Sequence, residues 1–285
     1  MKFDPQSLRS IAIFIYGFIN IAFQNVAHAM PPGMEAERIS HYSPDTIPVG
    51  VRKDLPPITD TNGMRDIFFY PDGLLKGRVI HLRVPKNYVS TDRSLPARHS
   101  DKLSFAVIYP SMKSILDPSV SEAITKHGGL ILDEQIEISI ERPDPSQLAV
   151  EVANLFGRIS TAKQLDPKMK FEDLPTPPGF ILRDHEGNHT QGIRQTETEL
   201  LRENYTGEAI QDSYIEWDYR DVPVKYMTCR MFDRRPSCNI SIMRITNDSP
   251  YRLSLYFDAK LLPNLPEIIS RSTALINSFF AETIN

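Results

Sequence analysis

The chain has 285 residues, of which 41% are hydrophobic, and a formal net charge of −4 at pH 7. This mild negative charge argues against nucleic acid or an anionic lipid surface as the main partner, because both favour basic proteins. The length is sufficient for one large domain or two small ones, and the 23 prolines indicate a chain rich in loops.

The first 29 residues have the three-part pattern of a secretory signal peptide. Lys2 and Arg9 give a basic start, an apolar run covers residues 11–23, and Ala27 and Ala29 occupy the positions that a signal peptidase reads. The run is shorter than the ~20 apolar residues that an ordinary membrane span needs. We expect this segment to be removed, or kept as an anchor, and the protein to be periplasmic or secreted, with only transient membrane contact.

The residues after the leader predict an extended arm and then a first structured half. Residues 30–65 are rich in proline and polar residues and show neither the helical nor the strand period. Residues 66–165 alternate between apolar and polar side chains in three places and then take a helical spacing. The predicted elements are strands at 78–84, 103–109 and 135–141, and a helix that begins at Pro145 or Ser146.

A second half with the same order of elements follows an interruption. Residues 166–209 predict an irregular connector, with a short charged helix at 196–204. Residues 210–285 predict strands at 213–231 (interrupted at Pro223), 238–245 and 251–257, and a last helix capped by Asn264 with Pro266 in its first turn. The sequence therefore predicts an α+β fold of antiparallel sheets with packed helices, in two successive strand-strand-strand-helix halves.

The cysteine content fits an exported protein. Cys229 and Cys238 are the only cysteines and lie on either side of a polar loop between two strand-like segments. In an oxidising compartment such a close pair predicts a disulfide that joins a hairpin. The spacing does not match a redox motif, and two ligands are too few for a structural zinc site.

The segment His185-Glu186-Gly187-Asn188-His189 matches the HExxH pattern of zinc proteases. In that chemistry both histidines lie on one helix face and bind zinc, while Glu186 acts as the general base. Gly187 and Asn188 disfavour a helix, and position 195 offers a glutamine where a third ligand would belong. We interpret the segment as a polar hairpin turn and keep a zinc site at His185, Glu186 and His189 as an alternative only.

No other catalytic motif is present, and the chemistry-bearing residues that stand out are typical of binding surfaces. Trp217 and Tyr219 lie at a strand edge, and Arg234 and Arg235 form a basic loop beside the cysteines. Aromatic residues and arginine dominate the energetics of protein interfaces. These four residues are the candidate partner-binding residues, and no catalytic residue, metal or cofactor is predicted.

Two parts of the chain resemble exported bacterial proteins. One is GRVIHLRVPKNYV, residues 77–89. The other begins with the strand led by Cys238 and continues through the strand at 251–257 to Leu261-Leu262-Pro263, which enters a helix closing in Asn277-Ser278-Phe279. Some of these proteins are similar to periplasmic immunity proteins that accompany toxins delivered by type VI secretion, lipase toxins among them. The resemblance implies a protein that binds a toxin and carries no catalytic motif.

Taken together, these features predict an exported, non-enzymatic binding protein, in its most concrete form a periplasmic immunity protein that neutralises a secreted toxin by occluding it. The predicted partner is therefore another protein. One alternative is a zinc-dependent envelope hydrolase that uses the HEGNH segment. The other alternative is a structural protein of the cell envelope.

Overall fold

The computed structural model describes residues 63–72, 77–89, 99–126, 132–165, 169–201, 205–231, 236–243 and 250–284. The predicted signal peptide lies outside these residues, as do Arg234, Arg235 and all but the last three residues of the predicted arm. All of the described residues belong to one unit, Tyr42–Asn285.

The described residues form thirteen strands and four helices. The strands are β1 (Met64–Phe69), β2 (Val79–Pro85), β3 (His99–Ser100), β4 (Lys102–Ile108), β5 (Lys113–Ser114), β6 (Gln135–Glu141), β7 (Lys170–Leu174), β8 (His189–Leu201), β9 (Tyr205–Trp217), β10 (Pro223–Arg230), β11 (Ser237–Ile242), β12 (Arg252–Asp258) and β13 (Phe280–Ile284). The helices are α1 (Lys86–Val89), α2 (Pro118–Lys126), α3 (Pro145–Leu165) and α4 (Leu265–Ser278), with short 3-10 turns at Leu132–Glu134 and Ala259–Asn264. None of the helices in the described ranges is long and apolar enough to span a bilayer.

The strands are arranged in two sheets. The large sheet is antiparallel throughout and has the order β5-β4-β6-β12-β11-β10-β9-β8-β7. The small sheet has the order β13-β2-β1-β3, in which only β1 and β3 run parallel. The predicted α+β class is confirmed. The large sheet joins strands of both predicted halves, because β6 pairs with β12 and places Ile138 opposite Leu255, whereas the predicted strand at 78–84 is β2 of the small sheet.

The core lies where one face of the large sheet meets the small sheet and α4. Strand β6 shows how the sequence selects this face: Ile136, Ile138 and Ile140 are fully buried, while Glu137 is exposed on the opposite side. This period of two places alternate side chains on opposite faces of a sheet. The predicted strand at 135–141 is confirmed without any change of its bounds.

Helix α3 covers part of the second face of the large sheet. It begins at Pro145, as predicted, and the carboxylate of Asp144 accepts hydrogen bonds from the backbone N–H groups of Ser146 and Gln147. These N–H groups have no partner inside the helix, so the carboxylate stabilises its start. The helix buries Leu148 and an apolar stripe of Val152, Leu155 and Ile159, which packs against Ile193 of β8 and Ile215 of β9.

The C-terminal helix is predicted correctly except for its cap. Pro266 lies in the first turn of α4, and Leu265, Ile268 and Ile276 are buried. The side chain of Asn264 makes no capping hydrogen bond, so that prediction is wrong. The reason is that Asn264 ends a 3-10 turn with φ −96° and ψ 7°, whereas a capping side chain acts from an extended backbone.

The prediction of an irregular connector at 166–209, with a helix at 196–204, is wrong. Strand β7 begins at Lys170, and β8 pairs with β9 continuously from His189 opposite Trp217 to Leu201 opposite Tyr205. The hydrogen bonds of a long hairpin come from the partner strand and not from local sequence, so a polar segment with weak strand propensity still extends. This hairpin positions the surface described below.

The predicted disulfide is present. Cys229 on β10 lies directly opposite Cys238 on β11, with 4.1 Å between their Cα atoms and a sulfur–sulfur bond of 2.07 Å. Both residues are fully buried on the core face of the sheet. The bond therefore joins neighbouring strands inside the core.

Candidate protein-binding surface

The HEGNH segment forms a turn and not the helix that a zinc site requires. Gly187 has φ +100°, a conformation that L side chains rarely adopt, and His189 is the first residue of β8. The Nδ1 atom of His189 lies 3.2 Å from the carbonyl oxygen of Gly187. Across the described residues, no group of three His, Cys, Asp or Glu side chains can hold a metal ion. The zinc alternative therefore lacks the geometry on which it depends.

The turn is held by the carboxylate of Asp184. Its Oδ1 atom accepts hydrogen bonds from the backbone N–H groups of Glu186 (3.0 Å) and Asn188 (2.9 Å). Its Oδ2 atom accepts a third hydrogen bond, of 2.6 Å, from the side-chain amide of Asn188. These bonds favour the ionised carboxyl, chiefly the one from the Asn188 side chain, and they lower the pKa of Asp184.

The turn between β9 and β10 is built in the same way. Oδ1 of Asp218 accepts hydrogen bonds of 2.9 Å from the backbone N–H groups of Arg220 and Val222, two and four residues further along. The two turns are neighbours, because a Cβ atom added at Gly187 would lie 3.7 Å from Cβ of Tyr219. Both turns therefore stand at the same end of the β8–β9–β10 sheet and are fixed by their own carboxylates.

Large apolar side chains are exposed at this end of the sheet. Leu182 is 74% exposed and Tyr219 is 57% exposed, and both lie in or next to the two turns. We call the following set the tip surface: Ile181, Leu182, Tyr219 and Val222. Exposed apolar groups that stand together on a surface are typical of sites that bind other molecules. The guanidinium of Arg220 lies 4.8 Å from the centre of the Tyr219 ring, which adds a cation–π contact.

A buried ion pair fixes the segment that carries Leu182. Nζ of Lys225 donates to Oε2 of Glu216 at 2.9 Å and to the carbonyl oxygen of Gly179 at 2.8 Å. The same Oε2 atom accepts the backbone N–H of Ile181 at 3.0 Å. The side chains of Glu216 and Lys225 are only 7% and 14% exposed. We call this pair the clamp, because it ties residues 179–181 to strands β9 and β10.

The four sequence-predicted partner-binding residues have different positions. Tyr219 lies in the tip surface. Trp217 is half-buried below it, with its ring 6.4 Å from that of Phe156 on α3 and 6.5 Å from that of His189. Arg234 and Arg235 lie outside the described residues, in the connection that leaves β10 after Arg230. Strand β10 separates Arg230 from the turn that carries Tyr219 by about 23 Å, at ~3.3 Å per residue.

Sequence reasoning missed Ile181, Leu182 and the clamp. A signal for the first two was present, since Phe180-Ile181-Leu182 is an apolar triplet inside an otherwise polar loop. No local signal identifies the clamp, because Glu216 and Lys225 come together only through the pairing of β9 with β10.

A second cluster of titratable side chains lies in the small sheet. Nε2 of the buried His81 is 3.1 Å from a carboxylate oxygen of Asp66, and Nδ1 is 3.2 Å from one of Glu282. The imidazole ring stacks on Phe68, with 5.1 Å between the ring centres. Because both ring nitrogens already face carboxylates, neither is positioned to take a proton from a substrate. The arrangement therefore favours a structural role.

No protein-family model matches the chain, and no curated protein matches it. Among solved structures, the chain is similar to Smlt3025, an immunity protein of the Stenotrophomonas maltophilia type IV secretion system. The similarity has a TM-score of 0.42 at 14% sequence identity, and it covers 77% of this chain and 94% of the other.

Proposed function

We propose that this protein is an exported, non-enzymatic binding protein that neutralises a protein toxin by occluding it. The tip surface makes the contact, and the toxin is another protein delivered to the cell envelope, as the resemblance to type VI immunity proteins implies. The chain works in the periplasm after its leader has been removed.

Two features of the chain support an extracytoplasmic place of action. The first 29 residues have the pattern of a signal peptide. The bond between Cys229 and Cys238 is of a kind that persists in oxidising compartments and is rare in the cytosol. These features are independent, since one concerns targeting and the other concerns the folded structure.

The observation that carries the binding proposal is the exposure of Leu182 and Tyr219 on turns that are already fixed. An interface gains most from apolar and aromatic side chains that need little ordering when the partner arrives. Here the carboxylates of Asp184 and Asp218 and the clamp hold the backbone before any contact is made. A surface whose backbone is already held needs little ordering when it meets a cleft in a partner.

The test is a competition between bacterial kin. A strain that lacks this gene is grown with its parent and is expected to be killed, provided that the parent's toxin delivery is intact. The full chain expressed in the deletion strain should restore survival, whereas a chain without residues 1–29 should not.

The contact surface is tested in the same assay by the double substitution Leu182→Asp, Tyr219→Asp. Val150→Asp is the matched control, because Val150 is 57% exposed on α3 and lies outside the tip surface. The tip variant should lose protection and the control should keep it, with both proteins folded by circular dichroism. Survival of the deletion strain would refute the immunity role and favour an envelope component. Full protection by the tip variant would refute only the assignment of the surface.

A further inference from the structure

Within the described ranges, α3 packs on the second face of the large sheet at strands β8, β9 and β10. On strands β4, β6, β12 and β11 this face carries small polar side chains in place of an apolar layer. Ser104, Ser139, Ser254 and Ser241 lie opposite one another in a row across the four strands. Each is the middle residue of a triplet with an apolar residue on both sides: Leu-Ser-Phe, Ile-Ser-Ile, Leu-Ser-Leu and Ile-Ser-Ile. Ser241 on β11 is buried and accepts a hydrogen bond from Arg252, so we call only the part of this face on β4, β6 and β12 the open face.

One aromatic ring protrudes beside the serine row. Tyr256 is 48% exposed and lies directly opposite Glu137 on the neighbouring strand. Asn239 lies opposite Tyr256 on the other side, and Ala106 lies beyond Glu137 in the same row. About half of the Tyr256 side chain is therefore accessible to a ligand.

A shallow cavity of about 120 Å³ adjoins this ring. Its lining consists of Gln135, Glu137, Pro236, Ser237, Tyr256, Phe257 and Asp258. Two of these residues are acidic and none is basic. Asp258 already accepts the backbone N–H of Lys260. The backbone of Glu137 belongs to the sheet, but its side chain makes no ion pair or hydrogen bond in the part of the chain that the structure describes.

Glu137 differs from two neighbouring carboxylates, because each of those forms an ion pair with a lysine. Glu141, two residues along the same strand, lies 2.6 Å from Nζ of Lys102, and Asp133 lies 2.5 Å from Nζ of Lys260. Among the described residues, Lys102 and Lys260 are therefore already engaged by other carboxylates. A negative charge beside an exposed aromatic ring and a small cavity is complementary to a cationic group from outside.

We propose that this cavity binds the guanidinium of an arginine side chain presented by a protein partner. A planar guanidinium can stack on the ring of Tyr256 while its N–H groups donate two parallel hydrogen bonds to the carboxylate of Glu137. The methylene stem then lies against Pro236. A lysine ammonium satisfies the charge but neither stacks nor donates in this planar way, so arginine is the preferred ligand.

The site is separate from the tip surface. Strand β10 begins at Pro223 beside the tip surface and ends at Arg230, which pairs with Ser237 of the cavity. The inference therefore does not depend on the proposed function, and each can fail without the other.

The test is a nuclear magnetic resonance titration of the isotopically labelled, disulfide-intact protein with three capped tripeptides. The probes are acetyl-Gly-Arg-Gly-amide, its lysine counterpart, and its citrulline counterpart, which keeps the shape of arginine without the charge. We expect the arginine peptide to shift the amide signals of residues 135–137 and 256–258 and to bind at least tenfold more tightly than the citrulline peptide.

Two substitutions and a matched control locate the site. Glu137→Gln and Tyr256→Leu should each weaken binding of the arginine peptide at least fivefold. Glu122→Gln makes the same change of net charge at an exposed carboxylate of α2 and should leave binding unchanged. Equal binding of the arginine and citrulline peptides would overturn the proposal, and so would unchanged affinity in Glu137→Gln. Shifts confined to another part of the protein would also overturn it.

Discussion

The clamp provides the sharpest test of how the fold presents the tip surface. Glu216 and Lys225 form a buried ion pair that also hydrogen-bonds the backbone at Gly179 and Ile181. Substituting Lys225 by Met leaves the Glu216 carboxylate buried with a single backbone N–H donor. Removing one partner of a buried pair in this way costs about 3–5 kcal/mol. We therefore expect Lys225→Met to lower the free energy of unfolding by about 3 kcal/mol, at the lower end because Lys225 is partly solvated.

A double-mutant cycle isolates the pair itself. Glu216→Gln keeps an acceptor for the N–H of Ile181 but removes the charge, so the double variant Glu216→Gln, Lys225→Met contains no unpaired buried charge. Its loss of stability should be smaller than the sum of the two single losses by about 2 kcal/mol, as for residues in one network. The measurement is urea denaturation of the disulfide-intact protein, followed by circular dichroism.

The matched control is the pair formed by Lys260 and Asp133. Its N–O distance of 2.5 Å is shorter than that of the clamp, but its side chains are 68% and 58% exposed. Solvent screening reduces such a pair to about 0–1 kcal/mol, so burial and not distance should decide the coupling. A coupling in the clamp no larger than that of the control pair would refute this reasoning. The single clamp variants should also be cut faster by protease near Leu182, because residues 179–181 lose their anchor.

Three further predictions concern the rest of the fold. Replacing Cys229 and Cys238 by alanine should lower the free energy of unfolding by about 3 kcal/mol, since closing a ten-residue loop alone contributes ~2.7 kcal/mol in the chain-entropy model; an unchanged urea midpoint would contradict this. Gly192→Ala should lower the free energy of unfolding by about 1–3 kcal/mol, because the added Cβ would lie 2.9 Å from Leu174 and force β7 away from β8. An unaltered melting temperature would contradict this close approach. Burial raises the pKa of Asp101, so the ionised carboxylate destabilises the fold. The free energy of unfolding therefore falls as the pH rises from the ordinary pKa of Asp through the raised pKa. Asp101→Asn should therefore raise the melting temperature at pH 7 and leave it nearly unchanged at pH 3, whereas an equal shift at both values would exclude the ionisation as the cause.

Strands and helices with strong local patterns could be predicted from the sequence. Strand β6 alternates isoleucine with polar residues, and α3 repeats leucine and valine at helical spacing, so one buried face identifies each element. The long β8–β9 hairpin could not be found in this way. Strand β8 is mostly polar, so its extended conformation depends on the partner strand, and only the end of β9 lies inside the strand predicted at 213–231. The prediction that Asn264 caps α4 was wrong for a related reason, because a preceding 3-10 turn sets the backbone conformation before the helix.

The residues of the candidate surfaces also differ in whether the sequence alone could identify them. Tyr219 could be selected from the sequence because an aromatic residue beside a turn is typical of an interface. The exposure of Leu182 and the unpaired state of Glu137 within the described chain depend on which residues the fold places nearby. The partner-binding role of Arg234 and Arg235 remains a prediction from the sequence alone.

The sequence by itself determined the leader pattern, the cysteine pair and the apolar faces of the regular elements, because each depends on residues that are close in the chain. Only the tertiary structure decided that the clamp forms and that four separate serines share one row. These features join residues that are distant in sequence, and strand pairing is the physical event that brings them together.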